Sequence, residues 1–173
     1  MKKELVMTVL AEDRPGLVAR LADCVRTHGG NWIESRMSQL GGRFAGIVRV
    51  EVPEESEDQL AAALRALVGL NLTVETADAP YPVEKDAKQA RLEILAQDRP
   101  GIIAEIFGAL SAHRANVTDL TTERFAAPMS AELLFKATAR LRLPPALDAG
   151  TLHASLESIA HDLTAELHLA QEW

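Results

Sequence analysis

Leu10-Ala11-Glu12-Asp13-Arg14-Pro15-Gly16-Leu17-Val18 is echoed by Leu95-Ala96-Gln97-Asp98-Arg99-Pro100-Gly101-Ile102-Ile103, with six of nine positions identical and the rest conservative. The same offset of 85 residues carries His28 onto His113 and Asn31 onto Asn116, in a chain with only three asparagines. Self-similarity at this spacing marks a tandem duplication. Val52-Pro53 then matches Leu143-Pro144 at an offset of 91, so the second copy has gained six residues, and Ala126-Ala127-Pro128-Met129-Ser130 reads as that insertion. Between the copies runs a proline-bearing stretch of mixed charge that reads as an extended linker. The expected division is 1–79, linker 80–88, and 89–173.

Each copy predicts the order βαββαβ. In the first, residues 5–10 are rich in β-branched side chains and read as a strand. From Gly16 to His28, Leu17, Val18, Leu21, Cys24 and Val25 fall on one helical stripe that Gly29-Gly30 ends. Residues 33–40 and 44–52, joined by Gly41-Gly42, predict a hairpin with Gly46, Val48, Val50 and Val52 facing inward. Ser56-Glu57-Asp58-Gln59 reads as a capping box for a helix burying Leu60, Ala63, Leu64 and Leu67, and residues 70–77 as a last strand. The second copy repeats this as strand 90–96, helix 101–113, strand 117–125, strand 131–141 with Leu133, Phe135, Ala137 and Ala139 inward, helix 148–161 and strand 163–169. The order closes into an α+β, ferredoxin-like unit: a four-stranded antiparallel sheet with two helices on one face. Two such units in tandem are expected. Halves of about 80 residues bury little apolar surface alone, so packing between halves and a homodimer are expected too.

Composition narrows the chemistry. The 173 residues carry 18 Lys+Arg against 25 Asp+Glu, a net charge of −7, so direct DNA or RNA binding, which needs a basic face, is disfavoured. Action on a DNA-binding partner needs only protein surface and stays open. No apolar run reaches the length of a membrane span and no signal segment opens the chain, which points to the cytoplasm and away from membranes. The single cysteine, Cys24, lies on the helical stripe and reads as a small buried residue. His28 and His113 fall at helix C-termini, where they suit the dipole. His153, His161 and His168 form no metal-ligand spacing, and no nucleophile elbow or phosphate loop is present. Neither an enzyme nor a cofactor is expected.

The repeated loop remains. A strand ending in Asp-Arg-Pro-Gly and feeding a helix directs free backbone N–H groups at one spot where an anion can sit. Asp13 and Asp98 add carboxylates, and Asn31 and Asn116 add amides at the start of the next strand, expected to face the same pocket. Donors for a carboxylate beside an acceptor for an ammonium suit a free amino acid. The same residues also make a tight turn with a capping aspartate and a turn-ending asparagine, and the residues alone leave both readings open.

A βαββαβ unit with Asp-Arg-Pro-Gly after its first strand and Asn opening its second strand resembles the ACT domain, a small regulatory module that binds amino acids. Two of them, with a Leu-Pro step before the last helix, resemble the glycine cleavage system transcriptional repressor family. That resemblance implies a ligand against the glycine-bearing loop and the asparagine, commonly between paired ACT domains. Carried onto this chain, the ligand residues are Asp13, Gly16, Leu17 and Asn31, and Asp98, Gly101, Ile102 and Asn116. It also implies a small effector such as glycine, no cofactor, and repression through contact with a DNA-binding transcriptional activator. A stand-alone regulatory subunit of an amino-acid metabolic enzyme, or an ACT fragment linked to formyltetrahydrofolate chemistry, are the other uses of such a chain. Around the asparagine the copies differ, Trp32-Ile33-Glu34 against Val117-Thr118-Asp119, so the two sites need not be equivalent.

Overall fold

The computed structural model describes residues 1–77, 86–128, 132–163 and 166–172, except for the side chains of residues 149, 162, 163, 167, 171 and 172. The chain divides into two compact units, Met1–Tyr81 and Pro82–Trp173. The first contains β1 (Lys2–Glu12), α1 (Leu17–Thr27), β2 (Asn31–Leu40), β3 (Arg43–Pro53), a 3-10 turn at Glu54–Ser56, α2 (Glu57–Arg65) and β4 (Leu70–Thr76). The second contains β5 (Lys88–Gln97), α3 (Ile102–Ala112), β6 (Asn116–Ala126), β7 (Leu133–Leu143), α4 (Ala149–Leu163) and β8 (Glu166–Glu172). The sheets run β2-β3-β1-β4 and β6-β7-β5-β8, antiparallel throughout. This is the expected ferredoxin-like βαββαβ arrangement, twice. Most of the expected linker lies outside the described residues, and Lys88, its last member, already pairs with Leu143 in the sheet.

Strand register confirms the duplication at residue level. Asn31 pairs with Glu51 and Asn116 with Arg142, and both ladders slip by one residue directly afterwards, between Trp32 and Glu34 and between Val117 and Asp119. In the first unit the hairpin closes with Leu40 opposite Arg43. In the second it runs one pair further, to Ala126 opposite Leu133. The six extra residues therefore sit at the hairpin tip. Ala126 itself belongs to the ladder, and Met129 and Ser130 lie outside the described residues.

Each unit buries one face of its sheet under its helices. Leu5, Met7, Val9 and Ala11 of β1 alternate inward with Val48, Val50 and Val52 of β3, and meet Leu17, Leu21 and Val25 of α1 and Leu60, Ala61 and Leu64 of α2. The second core repeats the plan with Leu92, Ile94, Ile106, Leu110, Leu141, Leu152 and Leu156. The two periods, 2 on strands and 3.6 on helices, put the apolar residues on these faces.

Several local expectations change. Val18 is exposed and Cys24 half-buried, so the α1 stripe is narrower than the sequence suggested. Ser56 makes no side-chain cap to α2, because a 3-10 turn precedes the helix, and Ala61 rather than Ala63 is fully inside. Leu133, beside the turn that closes its hairpin, is exposed. Leu163 belongs to α4, and the last strand begins at Glu166.

α4 does have a side-chain cap. An Asp148 carboxylate oxygen accepts from the Thr151 backbone N–H at 2.9 Å and from its hydroxyl at 3.1 Å. The backbone bond first, then the hydroxyl, holds the Asp148 carboxyl below its ordinary range. A carboxyl depressed in the folded state stabilises above its unfolded pKa, and that stabilisation disappears as pH falls through its folded value. Thermal midpoints should therefore be lower for Asp148→Asn than for the parent at neutral pH and converge in strong acid. A gap that stays constant with pH would show that the charge of Asp148 contributes nothing.

Candidate functional site

The β1–α1 connection is Asp13-Arg14-Pro15-Gly16, and the sheet anchors it where the Asp13 N–H donates to the Gly42 carbonyl at 3.1 Å. Gly16 occupies the N-cap with φ +88°, and Gly101 does the same with φ +91°. A left-handed φ is what requires glycine here. The space beside Gly16 is open, since an added Cβ would meet nothing within 4 Å. Neither helix has a side-chain cap, so Asp13 and Asp98 are not capping residues, and the first N–H groups of α1 and α3 are left to other acceptors. Leu17 and Ile102, the first helical residues, point into the cores, 7% and 3% exposed. Their side chains hold the helix down, leaving only their backbone for a ligand.

Asn31 and Asn116 are exposed, and among the described residues their side chains have no hydrogen-bond partner. They therefore end no turn. They do not, however, face the loop of their own unit. Asn31 pairs with Glu51, which pairs with Glu4 near the start of β1, whereas the loop follows Glu12 at its far end. Nine residues of strand separate these levels, about 30 Å at 3.3 Å per residue. Asn116 is likewise level with Gln89, nine residues before Asp98. The helix returns the chain to the start of the first strand before the second begins, so a split βαβ crossover puts loop and asparagine at opposite ends of the sheet.

The two loops differ in charge. In the first unit the loop borders a cleft of about 850 Å³ lined by Glu12, Arg14, Arg20, Arg43, Val68 and Asn71 among others. Arg14 pairs with Glu12, Arg20 donates to the Val68 carbonyl at 2.9 Å, and Asp13 has no side-chain partner among the described residues. In the second unit Arg99 grips Glu105 through two bonds of 2.8 and 2.6 Å, and Arg124 donates to Asp98 at 3.4 Å. The hydrogen bond from Arg99 holds the Glu105 carboxyl below the usual carboxylate range. Arg20, Arg43, Glu105 and Arg124 were missed at the sequence level. The change from Arg20 to Glu105 is visible on superposing the copies at 85 residues, but the cleft that gives it meaning is not.

The Cys24 thiol is half-buried and pushed up, by burial first and by Asp23 second. His28 and His113 are the C-caps of α1 and α3, and the His28 Nδ1–H donates to the Cys24 carbonyl at 2.8 Å. His153 pairs with Glu157 one turn away at 3.0 Å. Among the described residues no cluster of His, Cys, Asp or Glu could hold a metal, and no helix is long and apolar enough to cross a membrane.

Comparison with known proteins agrees with the fold. ACT-domain family models match residues 3–76 and residues 90–140. The chain is a tandem ACT-domain protein. Over 171 residues it is 25% identical to the glycine cleavage system transcriptional repressors of Escherichia coli (strain K12) and Shigella flexneri, spanning 94% of this chain and 86% of theirs. Among solved structures, both ACT units superpose on an unknown protein from Galdieria sulphuraria at 26% identity and a TM-score of 0.89, with 100% of each chain covered. A crystal structure assigned to a glycine cleavage system transcriptional repressor superposes at 16% identity and a TM-score of 0.72, covering 99% and 98% of the chains, and bears on the fold alone. Each Asp-Arg-Pro-Gly loop joins the first strand to the first helix of its unit, and Asn31 and Asn116 open strands at the opposite ends of the sheets.

Proposed function

We propose that this chain is a non-enzymatic cytoplasmic sensor of a small amino acid, glycine or one of similar size, that represses glycine cleavage genes through contact with a DNA-bound activator. The observation that carries this reading is the relationship to two glycine cleavage system repressors along 94% of the chain. The loops supply the chemistry: uncapped helix N–H groups suit a carboxylate and Asp13 suits an ammonium. Because loop and asparagine lie about 30 Å apart within a unit, an amino acid held by both takes them from two copies of the chain, as a homodimer would supply. Light scattering should then give twice the 18.8 kDa chain mass, and a monomer at micromolar concentration would count against this arrangement.

Electrophoretic mobility tests the output. At a net charge of −7, the purified chain should not retard operator DNA at physiological salt. It should retard it further only when the DNA-binding activator is already on it. A specific shift without any partner, weakening steeply with salt, would replace this reading with a direct repressor. Capture of a metabolic enzyme whose activity then responds to the amino acid, with no effect at the promoter, would favour a stand-alone regulatory subunit.

A further inference from the structure

We infer that only the first ACT unit receives the effector's carboxylate, and that the second has its equivalent position neutralised from within. This rests on the amino-acid-sensor reading above and says which of the two loops is used. The cleft at the end of β1 in the first unit is lined by three arginines from three segments: Arg14 from the loop, Arg20 from α1 and Arg43 from β3. Glu12 lines it as well and pairs with Arg14, which leaves an excess of two positive charges on its walls. Arg43 has no partner among the described residues, and Arg20 uses one nitrogen on the Val68 carbonyl, so both retain donors for a carboxylate. A concave wall of one sign concentrates a ligand of the other.

The second unit replaces this set position by position. At the helix offset of 85 residues Arg20 becomes Glu105, and at the hairpin offset of 91 residues Arg43 becomes Leu134, which occupies the same rung, opposite Gln97, that Arg43 occupies opposite Glu12. The one arginine that survives, Arg99, is bound by both of its terminal nitrogens to Glu105. Asp98, the counterpart of unpaired Asp13, is held by Arg124, where the first unit has Gln39. An incoming carboxylate would meet the Glu105 carboxylate beside arginines, Arg99 and Arg124, that are each already paired to an acid, and an incoming ammonium would have to displace Arg124.

Isothermal titration calorimetry on the full chain decides it, using glycine and, where glycine gives no heat, the member of the twenty amino acids with the largest thermal shift. One ligand per chain is expected. Arg20→Glu, which gives the first unit the acid of the second, should weaken binding at least tenfold, and Arg43→Ala should weaken it in the same direction. Glu105→Gln should leave affinity and stoichiometry within twofold of the parent. Two ligands per chain, or an affinity that depends on Glu105 and not on Arg20, would overturn the assignment while leaving the sensor standing. If none of the twenty binds the parent chain, the sensor reading itself fails, and this inference with it.

Discussion

Gly46→Ala should lower the stability of the first ACT unit by about 1–3 kcal/mol, the usual cost of forcing an extra carbon into a filled space. Gly46 sits within β3, where β2 crosses so closely that an added Cβ would lie 2.5 Å from the Arg36 carbonyl oxygen, 2.5 Å from Met37 Cγ and 2.9 Å from Met37 Cα. Two of those atoms are backbone and cannot swing aside. The Met37 side chain takes the place that a residue at 46 would fill on the inner face, where the sequence pattern had simply counted Gly46 among the inward residues. Glycine inside a strand commonly marks such an approach. Chemical denaturation followed by the fluorescence of Trp32, on β2 itself, reads the effect. Gly108→Ala is the control of opposite sign: Gly108 lies within α3 with nothing near its would-be Cβ, so alanine there should stabilise by about 0.5–1 kcal/mol. A neutral Gly46→Ala would show that β2 and β3 do not approach as described.

Asp13→Ala should weaken amino-acid binding tenfold or more, because a hydrogen bond to a charged group contributes about 1.5–3 kcal/mol. Asp98→Ala should cost far less, since Arg124 already occupies that carboxylate. Asn31→Ala should leave stability unchanged, given an exposed side chain without a partner, and should reduce affinity less than Asp13→Ala because an amide is neutral. Stability and affinity measured together separate a ligand site from a turn. An Asp13→Ala chain that binds with full affinity would remove the ammonium partner from the proposed site. Gly16→Val is a poor probe of ligand approach, since φ +88° strains any side chain there whether or not a ligand is present.

Much of the fold could be read from residues close in sequence. Hydrophobic periodicity located, in order, the eight strands and four helices seen among the described residues, Gly41-Gly42 located the hairpin turn, and the change of offset from 85 to 91 put the extra residues near the second hairpin's tip. The departures arose at the ends of elements. Ser56 loses its cap to a 3-10 turn that follows Pro53, and Leu133 is exposed because its hairpin extends beyond the first unit's.

The candidate site divides along the same line. Sequence alone determined the duplicated loop, its glycine and its place between strand and helix, because φ preference, turn chemistry and periodicity act over a few residues. Only tertiary structure decided what that loop faces. Which end of the sheet receives Asn31 is fixed by pairing with β3, twenty residues along the chain, and by a crossover helix that reverses direction before β2 begins. Likewise, Arg43 joins Arg20 at one cleft, and Arg124 reaches Asp98 from 26 residues away, through strand pairing. Charge acts through space, so whether a repeated loop is open to an anion or already neutralised depends on residues that the motif does not contain.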